Sequence, residues 1–244
     1  MSHPLRASRA PFEGATPADR RSRICGVRLV ATGVALAVSL AAWAQESSPI
    51  SPAERRLFVD DHLSSLHAPT TLRYAFVKTG TLEPGRRDEL SIVLRPGGDG
   101  RCCVASGGFA GEQEAPLPQI EDAKANPVVL HFLERDVREM RRLTGGQPTY
   151  FRKRLRLSLA DAATLQDTTV RYRGQTLPAV EVRVTPYADD PMRTRYERFA
   201  AKQYVFVLAA GVPGGVVELR SSVPGPTTDG TPLLQETLTL QDDR

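Results

Sequence analysis

The sequence predicts an α+β domain, a curved, mostly antiparallel sheet packed on two central helices. Three observations carry that expectation. Short segments alternate apolar and polar residues with period two, as Leu72, Tyr74 and Phe76 do, and Gly- and Pro-rich turns separate them. One long segment, Asn126–Thr144, instead repeats its apolar residues at helical spacing. The helical segments also sit together between two sets of strands, which points to α+β rather than to alternating units.

Taken in order, Pro52–Leu66 reads as a short helix, with Leu57, Phe58, His62 and Leu66 at helical spacing. Strands follow at Thr71–Lys78 and Glu89–Arg95, with the turn Glu83-Pro84-Gly85 between them, and at Arg101–Ala105 after a Gly-rich turn. Gly107–Ala125 has little periodicity and several Gly and Pro residues, so it reads as a mobile flap or a surface excursion.

Asn126 suits a helix cap, Pro127 the first helical position and Gly145-Gly146 the exit. Val129, Phe132, Leu133, Val137, Met140 and Leu143 form one stripe, with Arg135, Arg138, Glu139 and Arg142 largely opposite. Pro148–Ala162 fits either period, and its helix formers favour a helix. Thr168–Arg173 and Leu177–Thr185 make a hairpin across Gly174-Gln175, and Asp189–Phe199 is a turn or short helix. Lys202–Ala209 and Val216–Ser222 make a second hairpin, and Leu233–Leu240 closes the chain.

Ahead of this domain, basic residues up to Arg28, the apolar run Leu29–Ala42 and Ala42-Trp43-Ala44 have the order of a cleavable secretory signal. The reading is a signal peptide over residues 1–44 and a single periplasmic domain over 45–244. Six of the 32 basic and two of the 28 acidic residues lie in the first 44, leaving 26 of each sign. A neutral mature chain offers no basic footprint for nucleic acid. It also has no apolar run long enough for a membrane span. The adjacent Cys102-Cys103 is no disulfide framework. It reads as one thiol facing in and one out, or as a vicinal bridge.

No phosphate-binding Gly-rich loop, His-Glu-x-x-His or Gly-x-Ser-x-Gly occurs, so neither a cofactor nor a common hydrolase is indicated. Two chemistries stay open. His62 beside Asp60-Asp61, or His131 with Glu134, could serve a metal-assisted hydrolase. Alternatively Tyr74, Phe76, Tyr204 and Phe206 line a sheet that holds an apolar or amphipathic ligand, or they are simply core. Arg138, Arg142, Arg152 and Arg154 could contact an anionic membrane surface, the plainer reading being a solvated helix pair.

Asn126-Pro127, Phe132-Leu133-Glu134-Arg135-Asp136, Pro186-Tyr187-x-x-Asp190-Pro191, Lys202-x-Tyr204-x-Phe206 and Val212-Pro213-Gly214 resemble uncharacterised proteobacterial exported proteins across nearly the whole mature chain. That resemblance implies export and brings no activity. In layout the chain is similar to periplasmic lipoprotein-carrier half-barrels, which implies a concave sheet that binds acyl chains. The expectation is a non-catalytic periplasmic binding or accessory protein. An enzyme and a scaffold for envelope assembly are the alternatives.

Overall fold

One antiparallel sheet of eight strands dominates the computed structural model, which describes residues 49–98, 102–111, 118–226 and 230–242. The signal segment read at residues 1–44 lies outside these residues, as do residues 112–117 of the expected flap. The strands are β1 (Thr70–Thr79), β2 (Arg86–Pro96), β3 (Cys102–Phe109), β4 (Thr164–Tyr172), β5 (Gln175–Val184), β6 (Gln203–Leu208), β7 (Val216–Val223) and β8 (Leu234–Leu240). Their spatial order is β3-β2-β1-β8-β7-β6-β5-β4, and the sheet is open. The helices are α1 (Pro52–Glu54), which runs into a π-helical turn at Arg55–Val59, α2 (Val128–Thr144) and α3 (Pro148–Asp161).

Chain order explains why a helix covers the sheet. The two edge strands, β3 and β4, follow one another in sequence, so the segment between them must cross the whole width. Seven interstrand steps amount to about 33 Å, and the 17 residues of α2 span about 25 Å of it. Beneath that crossing, Phe76, Leu238, Leu219, Phe206 and Val182 are paired neighbour to neighbour across five strands, each no more than 1% exposed. At ~1.5–3 kcal/mol per large apolar side chain, this row alone contributes on the order of 10 kcal/mol before entropy. The expected α+β fold with an antiparallel sheet is present, and the two helices meet it differently. Side chains of α2 reach the strands directly, whereas the rings and ions of α3 meet the β5–β6 connection through Phe151–Tyr187, Phe151–Tyr196 and Arg154–Asp190.

Several local expectations also change. Pro52–Leu66 is helical only to Val59. Ser51 caps its first turn, accepting from Glu54 N–H at 3.1 Å while Glu54 Oε2 accepts from Ser51 N–H at 3.0 Å. Gly107–Phe109 belongs to β3, and Ala105 and Ile120 exchange two backbone hydrogen bonds of 2.9 Å, which ties the far end of the expected flap to that strand. The β4–β5 turn is Arg173-Gly174, both at positive φ (48° and 77°), the two-residue type I′ geometry. Cys102 is exposed and Cys103 buried, and their sulfurs are in bonding contact.

Candidate functional site

Three polar residues of α2 turn away from solvent, while Arg141 and Arg142 in its last turn stay exposed. Arg135, Asp136 and Glu139 turn beneath the helix, and four adjacent strands supply their partners. Lys78 on β1 donates to Glu139 Oε1 at 2.5 Å. Glu236 on β8 accepts from Arg135 at 3.1 Å, and the Arg135 guanidinium lies 4.2 Å from the Phe76 ring centroid. Ser221 on β7 donates to Asp136 Oδ1 at 3.1 Å. Lys202, just before β6, and Tyr204 on it also donate to Asp136. Part of the expected polar face, Arg135 and Glu139, is therefore drawn inward, because the sheet brings its own counter-charges, while Arg142 stays exposed.

Electrostatics follow from that enclosure. Burial opposes ionisation of Glu139, but hydrogen bonds from Arg142 and Lys78 outweigh it and hold the carboxyl at about 2. Glu236 goes the other way: burial raises it despite the Arg135 and Lys202 charges. Burial and the neighbouring Asp136 charge push Tyr204 well above a normal phenol.

Asn126-Pro127 and Val212-Pro213-Gly214 meet here too. Asn126, 1% exposed, donates from Nδ2 to Tyr74 Oη and to Gly214 O, both at 2.8 Å, while its Oδ1 accepts from Val128 N–H at 3.1 Å. Gly214 has φ +71°, and a Cβ there would fall 2.6 Å from Asn126 Nδ2, which explains a glycine in that turn. Asp190 gathers Tyr150, Arg154 and the N–H of Met192 beside the edge-to-face rings of Phe151, Tyr187 and Tyr196. These motifs hold the helices, the connections and the sheet together.

Tyr74, Phe76, Tyr204 and Phe206 are each at most 1% exposed and touch protein on every side in this closed arrangement. Of the four basic positions, Arg142 bonds Glu139 and Glu83, Arg154 pairs with Asp190, and Arg152 makes a bidentate contact with Glu134. Arg138 is half-buried, and its charge helps keep His131 neutral.

The two candidate histidines, His62 and His131, are both enclosed. His62 Nδ1 accepts from Asn126 N–H at 3.1 Å and Nε2 lies 2.9 Å from Arg56 O, so a single neutral tautomer bridges two backbone groups. Asp60 binds Arg56, and Asp61 accepts from Leu63 N–H. His131 is 7% exposed, and burial, seconded by Arg138, lowers its pKa to about 4. No group of three metal-ligating side chains forms among the described residues.

An apolar opening lies on the outer side of the helices. Leu130 belongs to α2 but is off the predicted stripe, and it is 40% exposed. It shares with Phe58 two adjoining depressions. One, about 630 Å³, runs between the π-helical turn and residues 120–127. The other, about 290 Å³, has Leu133, Val137, Leu155 and Leu159 as its floor, with Glu134, Arg152 and Arg156 at the rim. Their combined size is that of an ordinary ligand site. A third groove, about 730 Å³, passes His62 and Asp167 with an alanine-rich floor. Leu130 was legible only as an apolar residue breaking a polar face. Asp136 and Lys202 gave no sign of being partners.

No known family model matches the chain, and no characterised protein matches it in sequence. Among solved structures it is similar to the lipoprotein LppX of Mycobacterium tuberculosis, at 11% identity over 71% of this chain and 86% of that one, with a TM-score of 0.30. It is also similar to the MucA/MucB complex of Pseudomonas aeruginosa, at 16% identity over 71% of this chain and about half (52%) of that one, with a TM-score of 0.25. Overlaps this loose leave fold and function to be argued from the chain itself.

Proposed function

We propose that this chain is a non-catalytic binding or accessory protein of the cell envelope, exported by cleavage after Ala44, which holds the apolar part of an amphipathic ligand in the Phe58–Leu130 groove. The observation that carries the reading is Leu130, a large apolar side chain of α2 that is 40% exposed over an apolar floor. Arg152 and Arg156 stand at the rim of that floor, where an anionic headgroup would sit. The membrane-surface role expected of Arg138, Arg142, Arg152 and Arg154 narrows here to Arg152 and its neighbour. Tyr74, Phe76, Tyr204 and Phe206 serve as the packed bed beneath α2.

Titration of the purified protein with a fluorescent C18 fatty acid tests this reading. Saturable binding is expected, and Leu130→Asp should weaken it about tenfold while the melting temperature stays within a few degrees. Absence of saturable binding by the wild-type protein, or an unchanged affinity in the variant, overturns the proposal.

A further inference from the structure

The two edges of the sheet are treated differently. On β3, Ala105 exchanges backbone hydrogen bonds with Ile120, and Cys103 O accepts from Ala123 N–H, so the chain covers its own edge. On β4, no backbone hydrogen bond reaches the outer side among the described residues. Seven of its nine residues are exposed, and Leu165 is 38% exposed. The strand pairs with β5 through all nine positions without a bulge, and it contains neither proline nor lysine. Proteins ordinarily protect a free edge with one of these devices.

We propose that β4 pairs with β4 of a second copy of this chain across a two-fold axis at Thr169, continuing the sheet through both subunits. The hairpin geometry decides which residues can meet. Tyr172 and Gln175 close a two-residue turn, a position where the paired residues hydrogen-bond to each other. Alternation then leaves Leu165, Asp167, Thr169 and Arg171 with their N–H and C=O groups aimed out of the sheet. Two such edges meet antiparallel, these residues facing their counterparts.

Charge selects one register. Centred on Thr169, the pairing sets Asp167 opposite the partner's Arg171 and Arg171 opposite the partner's Asp167. Centring it on Asp167 or on Arg171 would bring like charges face to face. Neither side chain has a hydrogen-bond or ion-pair partner among the described residues. The two charges oppose other pairings and define a single symmetric match, an isologous contact. About six backbone hydrogen bonds form in this register. A contact made by one strand edge is small beside the ~1,000 Å² of a stable complex, which puts the dimer in the weak, reversible class. This inference is independent of the groove, which lies among α1, α2 and α3.

Sedimentation velocity of the purified protein over a concentration series is the test. A concentration-dependent monomer–dimer equilibrium is expected. Asp167→Arg and Arg171→Asp should each raise the dissociation constant about tenfold, and the double variant D167R/R171D should restore wild-type association. Thr169→Pro removes an outward N–H and leaves the β5 ladder intact, so it should yield a monomer with an unchanged circular dichroism spectrum. A wild-type protein that stays monomeric up to roughly 100 µM overturns the proposal. So does a double variant that associates no better than the single ones.

Discussion

Asp136 on α2 and Lys202 before β6 meet as an ion pair in the interior, neither side chain more than 1% exposed. Tyr204 and Ser221 donate to the same carboxylate, so the charge is satisfied from both strands it faces. A pair this deep loses much of its Coulombic gain to desolvation, and its visible consequence is to fix where α2 sits.

Removing one partner therefore costs more than removing both. Lys202→Met should destabilise the fold by about 3–5 kcal/mol in urea denaturation, because Asp136 is left charged and buried. Asp136→Leu combined with Lys202→Met should recover most of that loss. If the double variant is no more stable than Lys202→Met alone, the two residues are not acting as a pair.

Asn126 ties α2 to β1 and to the β6–β7 turn through one amide. Asn126→Ala deprives Gly214 O, Tyr74 Oη and Val128 N–H of that partner, and should cost about 3 kcal/mol. Asn126→Asp keeps the acceptor for Val128 but supplies no donor for Gly214 O, and should fall in between or below. Equal stability of wild type and Asn126→Ala in chemical denaturation would remove Asn126 from this role.

Stability should fall with pH in two successive windows. His131 stays neutral in the folded protein down to about pH 4, whereas the unfolded chain takes up that proton near the ordinary value of ~6.5. The unfolded state binds more protons between those limits, so stability declines as pH drops from about 6.5 to about 4. His62, lowered chiefly by burial, adds to the same slope. Glu139 acts further down: its contribution is complete above the ordinary carboxyl range of ~4.3 and is lost as pH falls towards about 2. Denaturation midpoints at stepped pH values should show both windows, and His131→Gln should flatten most of the upper one. A variant with the wild-type slope from pH 6.5 to 4 would place that titration elsewhere.

Export predicts a particular terminus. Protein recovered from an envelope fraction should begin at Gln45, as read by N-terminal sequencing, with the basic and apolar leader removed. Recovery of the intact chain from the cytosol would contradict it.

The groove and the open edge show how differently features register in a sequence. β1 was legible because Leu72, Tyr74 and Phe76 alternate with polar residues, and period two is a local property of the chain. Leu130 and β4 were harder to see. The first is a single apolar residue off a stripe, and the second begins at Thr164, four residues before its alternation becomes regular.

By itself the sequence determined eight strand-forming stretches, three helix-forming ones and their order, because propensity and periodicity act over a few neighbours. Only the tertiary structure decided that the helical segment joins opposite sheet edges, so that α2 must lie across a face. It alone brought Arg135, Asp136 and Glu139 to Glu236, Lys202 and Lys78, residues 61 to 101 positions away. On an isolated helix those charges mark a solvent face. Against a sheet carrying opposite charges they become interior, and no local pattern encodes that difference.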